Sequence, residues 1–132
     1  MFDVAGKPIV RKAVFLAYVL VILALSVYPF KEIVGSSSDK VNHVLAFAAF
    51  YGLAVWSHRR AGIVTVIVWG VAYGALIEFS QFFIPYRQCS ALDLSADLSG
   101  LLAGWAAWSL YGRYRKRKTA RASREGIVTN SS

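Results

Sequence analysis

The sequence is short of charge and of cysteine, and the shortage of cysteine excludes two kinds of site. Only 17% of its 132 residues are charged, and only seven residues are acidic. Because Cys89 is the single cysteine, an intrachain disulfide and a cysteine-based metal centre are both excluded. The chain has three prolines, no low-complexity tract and no internal repeat. A chain of this length is therefore expected to form one domain.

Apolar residues are abundant instead. They make up 57% of the chain, and its mean hydropathy is +0.49. Soluble proteins contain roughly 45–50% of such residues, and a small soluble domain could not bury this surplus, so we expect lipid to surround the chain. The net charge of +8 lies between and beyond the apolar runs. Membrane lipids, rather than nucleic acid, are therefore the expected partner of the basic residues.

Charged residues divide the chain into four apolar runs, which cover residues 13–30, 41–57, 62–84 and 94–111. Each run approaches the roughly 20 residues that cross a bilayer as a helix. The first run exceeds the apolar core of a signal peptide, so we interpret it as a retained helix. The sequence predicts an all-α integral membrane bundle of four transmembrane helices over residues 1–112. A basic tail, residues 113–132, is predicted to be disordered.

The basic residues predict the orientation of this bundle, because cytoplasmic segments are enriched in Lys and Arg. With the N-terminus in the cytoplasm, twelve of the 15 basic residues lie on that side, and only Lys31, Lys40 and Arg87 lie outside. Most acidic residues fall on the outer side instead. We therefore predict an even number of spans, with both termini cytoplasmic.

Unusual polar residues gather at the extracytoplasmic ends of the last three runs. They are Asp39, Lys40, His43, Glu78, Gln81, Arg87, Asp93 and Asp97. Members three or four positions apart share a helix face. Placing Glu78 against lipid would cost a few kcal/mol, so we expect these faces to point into the bundle.

Two glycine pairs continue the polar faces toward the cytoplasm. Gly70 and Gly74 lie on the third helix, and Gly100 and Gly104 lie on the fourth. Small residues four positions apart allow membrane helices to approach closely. The pattern predicts tight helix packing beneath a polar cluster.

Several kinds of chemistry fit this cluster. Acid/base groups are one hypothesis, and its candidates are His43, Glu78, Asp93 and Asp97. A second set would bind an anionic substrate headgroup, and its candidates are Asp39, Lys40, Gln81 and Arg87. Whether the chain is an enzyme stays open.

Other readings compete with acid/base chemistry. His43 and the carboxylates could together hold a divalent cation. Asp93 is expected to cap the fourth helix in any case. A further alternative is that the whole cluster has no chemical role and serves solely to fix the register of the helices. His58, in the loop between the second and third runs, is interpreted as a surface residue.

The motifs DKVNHVLAFAAFYGL, EFSQFFIPYR and DLSAD, followed by Gly100 and Gly104, resemble the VanZ-like family. The family pattern is Asp-Lys-x-x-His, Glu-x-x-Gln, an Arg and Asp-x-x-x-Asn-x-x-Gly. The resemblance covers roughly residues 39–104, in the right order. Asp97 departs from it, since the family usually has Asn there.

The resemblance implies a small bacterial inner-membrane protein of the cell envelope, whose namesake is linked to resistance to teicoplanin, a lipoglycopeptide. We therefore expect the site to bind or modify an anionic lipid, a lipid-linked envelope precursor or a lipoglycopeptide. The alternatives are a small ion- or proton-coupled transporter subunit, which with four helices would form a homo-oligomer, and a structural membrane protein without catalysis.

Overall fold

The computed structural model describes residues 7–28, 36–84 and 91–129 of the chain. These residues form four helices and no strand. The helices are α1 (Pro8–Val27), α2 (Ser36–Ser57), α3 (Ile63–Phe82) and α4 (Ala91–Thr129). The prediction of an all-α chain with four helices is therefore confirmed. Each helix contains most of the apolar run that predicts it.

The helices alternate in direction. Tyr18 of α1 bonds to Ala46 of α2, whereas the earlier Phe15 contacts the later Phe50, so α1 and α2 are antiparallel. Corresponding contacts show that α1 runs parallel to α3, and that α2 runs parallel to α4. The fold is an up-and-down four-helix bundle. Its polar end holds the start of α2, the end of α3 and the start of α4, and its basic end holds the start of α1 and the α2–α3 loop.

Helix α1 begins at Pro8, where proline is favoured because the first helical N–H has no partner within the helix. None of its residues is fully buried. Two tyrosine hydroxyls attach it to the bundle through backbone carbonyls, one on α2 and one on α1 itself. The Tyr18 hydroxyl donates to the carbonyl of Ala46 at 2.6 Å, and the Tyr73 hydroxyl donates to the carbonyl of Val19 at 2.5 Å. Helix α1 thus lies at the edge of the bundle.

The core is built mainly from aromatic side chains of α2 and α3. Phe50 stacks on Tyr73 with ring centroids 5.5 Å apart, and Phe47 lies 6.0 Å from both rings. Phe15 of α1 meets Phe50 edge-on at 5.2 Å. Leu101 of α4 is fully buried and completes this cluster.

Glycines allow α2 and α4 to make the most extensive helix contact of the bundle. A Cβ atom at Gly100 would overlap the backbone carbonyl oxygen of Val44. A Cβ atom at Gly104 would lie 2.7 Å from the carbonyl oxygen of Ala48. Neither backbone oxygen can move without separating the helices, so both glycines are needed for this close approach. The predicted role of the Gly100–Gly104 pair is confirmed.

Large apolar side chains cover the outside of the bundle. Leu20, Val64, Phe79 and Leu102 are each at least 47% exposed, as are many similar residues. Among the described residues, α1 and α3 are long and apolar enough to cross a membrane, with mean hydropathies of 2.2 and 1.8. An exposed apolar surface of this extent is expected against lipid rather than water. These features indicate that the chain associates with a membrane.

Helix α4 continues far beyond its apolar run. It remains helical to Thr129, whereas the sequence predicted disorder throughout residues 113–132. Residues 113–123 consist only of Arg, Lys, Ala, Thr, Ser and Tyr. Arg, Lys and Ala favour helices even in the absence of packing, and these side chains are exposed. Residues 113–129 are therefore a continuation of α4, with exposed side chains over residues 113–123.

Candidate functional site

The polar end of the bundle brings together the predicted site residues of three helices. His43 lies two turns into α2, and Asp97 lies two turns into the parallel helix α4. Glu78 and Gln81 lie near the end of α3, which runs the opposite way. The up-and-down topology thus places these four side chains at one end, as the sequence predicted.

His43 and Asp97 are in direct contact. The Nδ1 atom of His43 lies 2.7 Å from Oδ1 of Asp97. The aspartate side chain is only 1% exposed and the histidine side chain 12%. An ionised Asp97 carboxylate can only accept a hydrogen bond, so in that state Nδ1 of His43 carries a proton and Nε2 is the basic nitrogen of a neutral ring. A buried carboxylate therefore sets the tautomer of a histidine at the edge of the site.

Gly74 makes room for the second oxygen of Asp97. A Cβ atom at position 74 would lie 2.6 Å from Oδ2 of Asp97. The carboxylate therefore occupies the space that a side chain on α3 would need. Within the residues that the structure describes, Oδ2 is buried and has no hydrogen-bond partner. Buried carboxylate oxygens are normally satisfied, so this atom suits a donor from a bound molecule or from water.

Glu78 lies one turn beyond Gly74 on the same face of α3, about 6 Å further along the axis. Its side chain is buried, with 7% exposure. The prediction that Glu78 points into the bundle rather than at lipid is therefore confirmed. The buried face of α3 thus carries a second carboxylate, which lies closer to the polar end of the bundle than Gly74 does.

Gln81, a candidate for binding the substrate headgroup, forms a hydrogen bond with another helix. Its Nε2 atom donates to the carbonyl oxygen of Ser26 at 3.1 Å, and the side chain is 2% exposed. Ser26 lies in the last turn of α1, where carbonyl groups lack helical partners. Gln81 therefore anchors the end of α1 to α3.

The remaining predicted residues differ in what the structure shows of them. Lys40 is exposed, three residues before His43 on α2. Asp93 is half-buried and lies in the first turn of α4, which begins at Ala91. It is therefore inside the helix rather than at the predicted cap position, and its charge interacts favourably with the helix dipole. Arg87 lies outside the described residues, as does the side chain of Asp39.

A divalent cation was one alternative for this cluster. Among the described residues, no group of three His, Cys, Asp or Glu side chains is arranged to hold a metal ion. What the described residues bring together is a histidine–carboxylate pair and a further carboxylate.

Sequence reasoning missed the two tyrosines that fix α1. Tyr18 and Tyr73 lie within apolar runs, and each donates to a backbone carbonyl of another helix. A tyrosine in such a run is itself a signal, because a buried hydroxyl needs a partner. These bonds hold the helix that flanks the polar site.

The fold and the site together define a small helical membrane-associated protein with a buried polar pair at one end. The family model VanZ/LLP1 matches residues 15–112, and the chain belongs to this family. It is also similar to "Uncharacterized protein C11E3.10" of Schizosaccharomyces pombe. The two are 35% identical over 127 residues, which covers 90% of this chain and 76% of the yeast protein. No solved structure matches the chain significantly.

Proposed function

We propose that the chain is a multi-pass membrane protein, with both termini on one side, that binds the anionic headgroup of an amphiphile at its polar end. The observation that carries this proposal is the contact between His43 Nδ1 and Asp97 Oδ1, at 2.7 Å with the carboxylate almost fully buried. All four helices would cross the bilayer. The polar end would face the outer leaflet, because most basic residues lie at the other end.

A buried ionisable pair is a costly way to hold two helices together. Replacing such a pair with apolar residues of similar size is often neutral or stabilising, and α2 and α4 already pack closely through Gly100 and Gly104. Ionisable residues within membrane bundles are usually functional for this reason. The position of Asp97 beside the histidine therefore supports a binding or proton-transfer role.

The pair can recognise an anionic group. An ionised Asp97 would pair with His43 in its imidazolium form, and an imidazolium is a donor for phosphate oxygens. Lys40 is exposed near the start of the same helix and would add a second positive charge at the mouth of the site. Asp97 also orients His43 for proton transfer, so the same geometry would serve an acid/base step on the bound headgroup.

The relationship to a yeast protein bears on the choice of ligand. Lipoglycopeptides act on peptidoglycan, which fungi do not make, so a function shared with the yeast relative would need a ligand present in both kinds of membrane. Phospholipids and polyprenyl phosphates meet this condition. We therefore favour a lipid phosphate over a lipoglycopeptide as the ligand.

Lipid binding by the purified full chain tests this proposal. Native mass spectrometry from nanodiscs would compare a polyprenyl phosphate, phosphatidylglycerol, teicoplanin and the neutral phosphatidylcholine. We expect one of the phosphate lipids to bind the wild type and to bind His43→Ala at least tenfold more weakly, with Ser99→Ala as an exposed control on α4. Equal binding of all probes by wild type and variant would contradict the proposal.

Proton-coupled transport is the second candidate, because a buried histidine–carboxylate pair can also carry a proton through a bundle. Proteoliposomes with an internal pH dye would test it. Transport predicts a proton flux that Asp97→Asn abolishes, whereas headgroup binding alone predicts none.

A further inference from the structure

A second polar feature lies at the opposite, basic end of the bundle. An open groove of about 750 Å³ lies between the start of α1, the α2–α3 loop and the start of α3. Arg11, Ser57, His58, Arg60 and Trp69 are among its lining residues. None of them belongs to the polar cluster described above, so the groove is a separate feature of the fold.

The groove is strongly basic. Its lining includes Arg11, Lys12, Arg59 and Arg60, and it includes no acidic residue of the described chain. Two of these cations lie near the start of α1 and two follow the end of α2. The antiparallel packing of α1 and α2 brings the two segments together. A groove lined by cations alone favours a bound anion.

Three residues that line this groove each carry a buried polar atom with no hydrogen-bond partner within the described residues. These atoms are Nε of Arg11, Oγ of Ser57 and Nδ1 of His58. The Ser57 side chain is only 4% exposed. Buried polar atoms of this kind are normally satisfied by protein, water or ligand. All three can donate a hydrogen bond, so the complementary ligand is an acceptor with several oxygens.

His58 packs against two aromatic side chains and is half-buried. Phe15 meets its ring edge-on at 5.6 Å, and Trp69 meets it edge-on at 5.2 Å. Gly62, which precedes the first residue of α3, and Thr65 also line the groove. The positive end of the α3 dipole therefore adds to the field of the four cations.

We propose that this groove binds a phosphate group, with the headgroup of an anionic membrane lipid as its source. The three buried donors would contact phosphate oxygens, and the four cations would balance the charge. Trp69 is 40% exposed beside the groove, which suits a side chain at the level of lipid headgroups. The groove would anchor the basic end of the bundle to the leaflet opposite the polar site.

Charge-matched variants test this proposal in the full chain. Binding of phosphatidylglycerol from phosphatidylcholine nanodiscs would be compared for Arg11→Gln/Arg60→Gln and for Arg115→Gln/Arg117→Gln, whose residues lie in the exposed tail. We expect the groove pair to bind about tenfold more weakly than the wild type. We expect the tail pair to bind less than about threefold more weakly. Equal losses would show a general surface field and would overturn the proposal.

A neutral substitution separates a built site from a patch of charge. Ser57→Ala removes one buried donor and leaves every charge in place, so we expect about threefold weaker binding. The matched control is Ser99→Ala, which removes an exposed hydroxyl. Unchanged affinity in Ser57→Ala, with normal thermal stability, would contradict the proposal.

Two further experiments identify the source of the phosphate and separate the groove from the anion-binding site proposed at the polar end. Glycerol phosphate in solution would compete if the groove takes soluble phosphates, whereas binding that resists this competitor assigns the lipid headgroup. Because the polar end could also take an anionic lipid, the groove variants would be repeated in His43→Ala. The same fractional loss in that background supports an independent groove, and no loss in that background would overturn it.

Discussion

The Nδ1 atom of His43 lies 2.7 Å from Oδ1 of Asp97, one turn from the point where Gly100 meets the backbone of α2. The polar contact and the close glycine contact therefore depend on the same register of α2 against α4. A shift of α4 by one residue would rotate Asp97 away from the histidine and place a side chain where Gly100 now lies. The His43–Asp97 contact and the Gly100 contact thus require the same register of α4 against α2.

Removing the carboxylate should destabilise the bundle through His43. In Asp97→Ala the largely buried imidazole loses its partner carboxylate, and we expect a loss of about 1–3 kcal/mol in the free energy of unfolding. Asp97→Asn should lose less, because the amide oxygen still accepts the Nδ1 hydrogen bond. SDS-induced unfolding of the purified protein measures both.

A double-mutant cycle of Asp97→Ala with His43→Ala isolates the contact itself. We expect a coupling energy on the order of 1 kcal/mol. Simple additivity of the two substitutions would contradict a direct interaction between the side chains.

The glycines of α4 should be intolerant of even one added carbon. Gly100→Ala and Gly104→Ala would each push a Cβ atom against a backbone carbonyl of α2, so we expect both to lower the thermal unfolding midpoint in detergent. Gly52→Ala is the matched control, because a Cβ atom there meets nothing within 4 Å. It should be neutral or stabilising, since alanine favours a helix.

Gly74→Ala should act on the site more than on the fold. The added Cβ atom would meet the Oδ2 end of the Asp97 side chain, which can rotate, rather than backbone. We therefore expect weaker lipid binding at the polar end with a smaller loss of stability than in Gly100→Ala. The reverse order, with binding retained and stability lost, would count against placing Asp97 in the binding site.

Helix α1 should loosen when its hydrogen bonds to the bundle are removed. Tyr73→Phe deletes the donor to Val19, and we expect a loss of about 0.6 kcal/mol, typical of such bonds in membranes. Tyr114→Phe, on the exposed tail, is the control. Faster hydrogen exchange confined to α1 would confirm the assignment, and identical exchange in the two variants would refute it.

Cys89 offers a test of orientation without mutation, since it is the single cysteine. The distribution of Lys and Arg predicts that it lies outside the cell. An impermeant thiol reagent added to intact cells should label it, whereas a cysteine introduced at Thr129 in a Cys89→Ser chain should be protected. Labelling of Thr129→Cys alone would reverse the orientation.

Helical periodicity in the sequence predicted which site residues share a helix face. Spacing of four placed Gly74 and Glu78 on one face of α3, and both are buried in the structure. It could not show which helix each polar group would meet. Gln81 was assigned to a ligand but bonds to Ser26, since nothing in the spacing of α3 indicates where α1 ends.

Residues outside the motifs were harder to interpret. His58 was read as a surface residue because it lies in a charged loop, yet Phe15 and Trp69 enclose its ring. These contacts join three segments, and only the tertiary arrangement brings them together. The disorder predicted for the tail likewise rested on its charge, whereas its composition also favours a helix.

The most direct test of the central claim is the protonation state of His43 in the membrane. Nitrogen-15 NMR of the histidine-labelled chain in nanodiscs, assigned with His43→Ala, would report both ring nitrogens of this residue. We predict that Nδ1 carries a proton, that Asp97→Ala abolishes this preference, and that a bound phosphate lipid shifts Nε2. An Nε2-protonated ring that responds neither to Asp97→Ala nor to phosphate lipid would contradict the account.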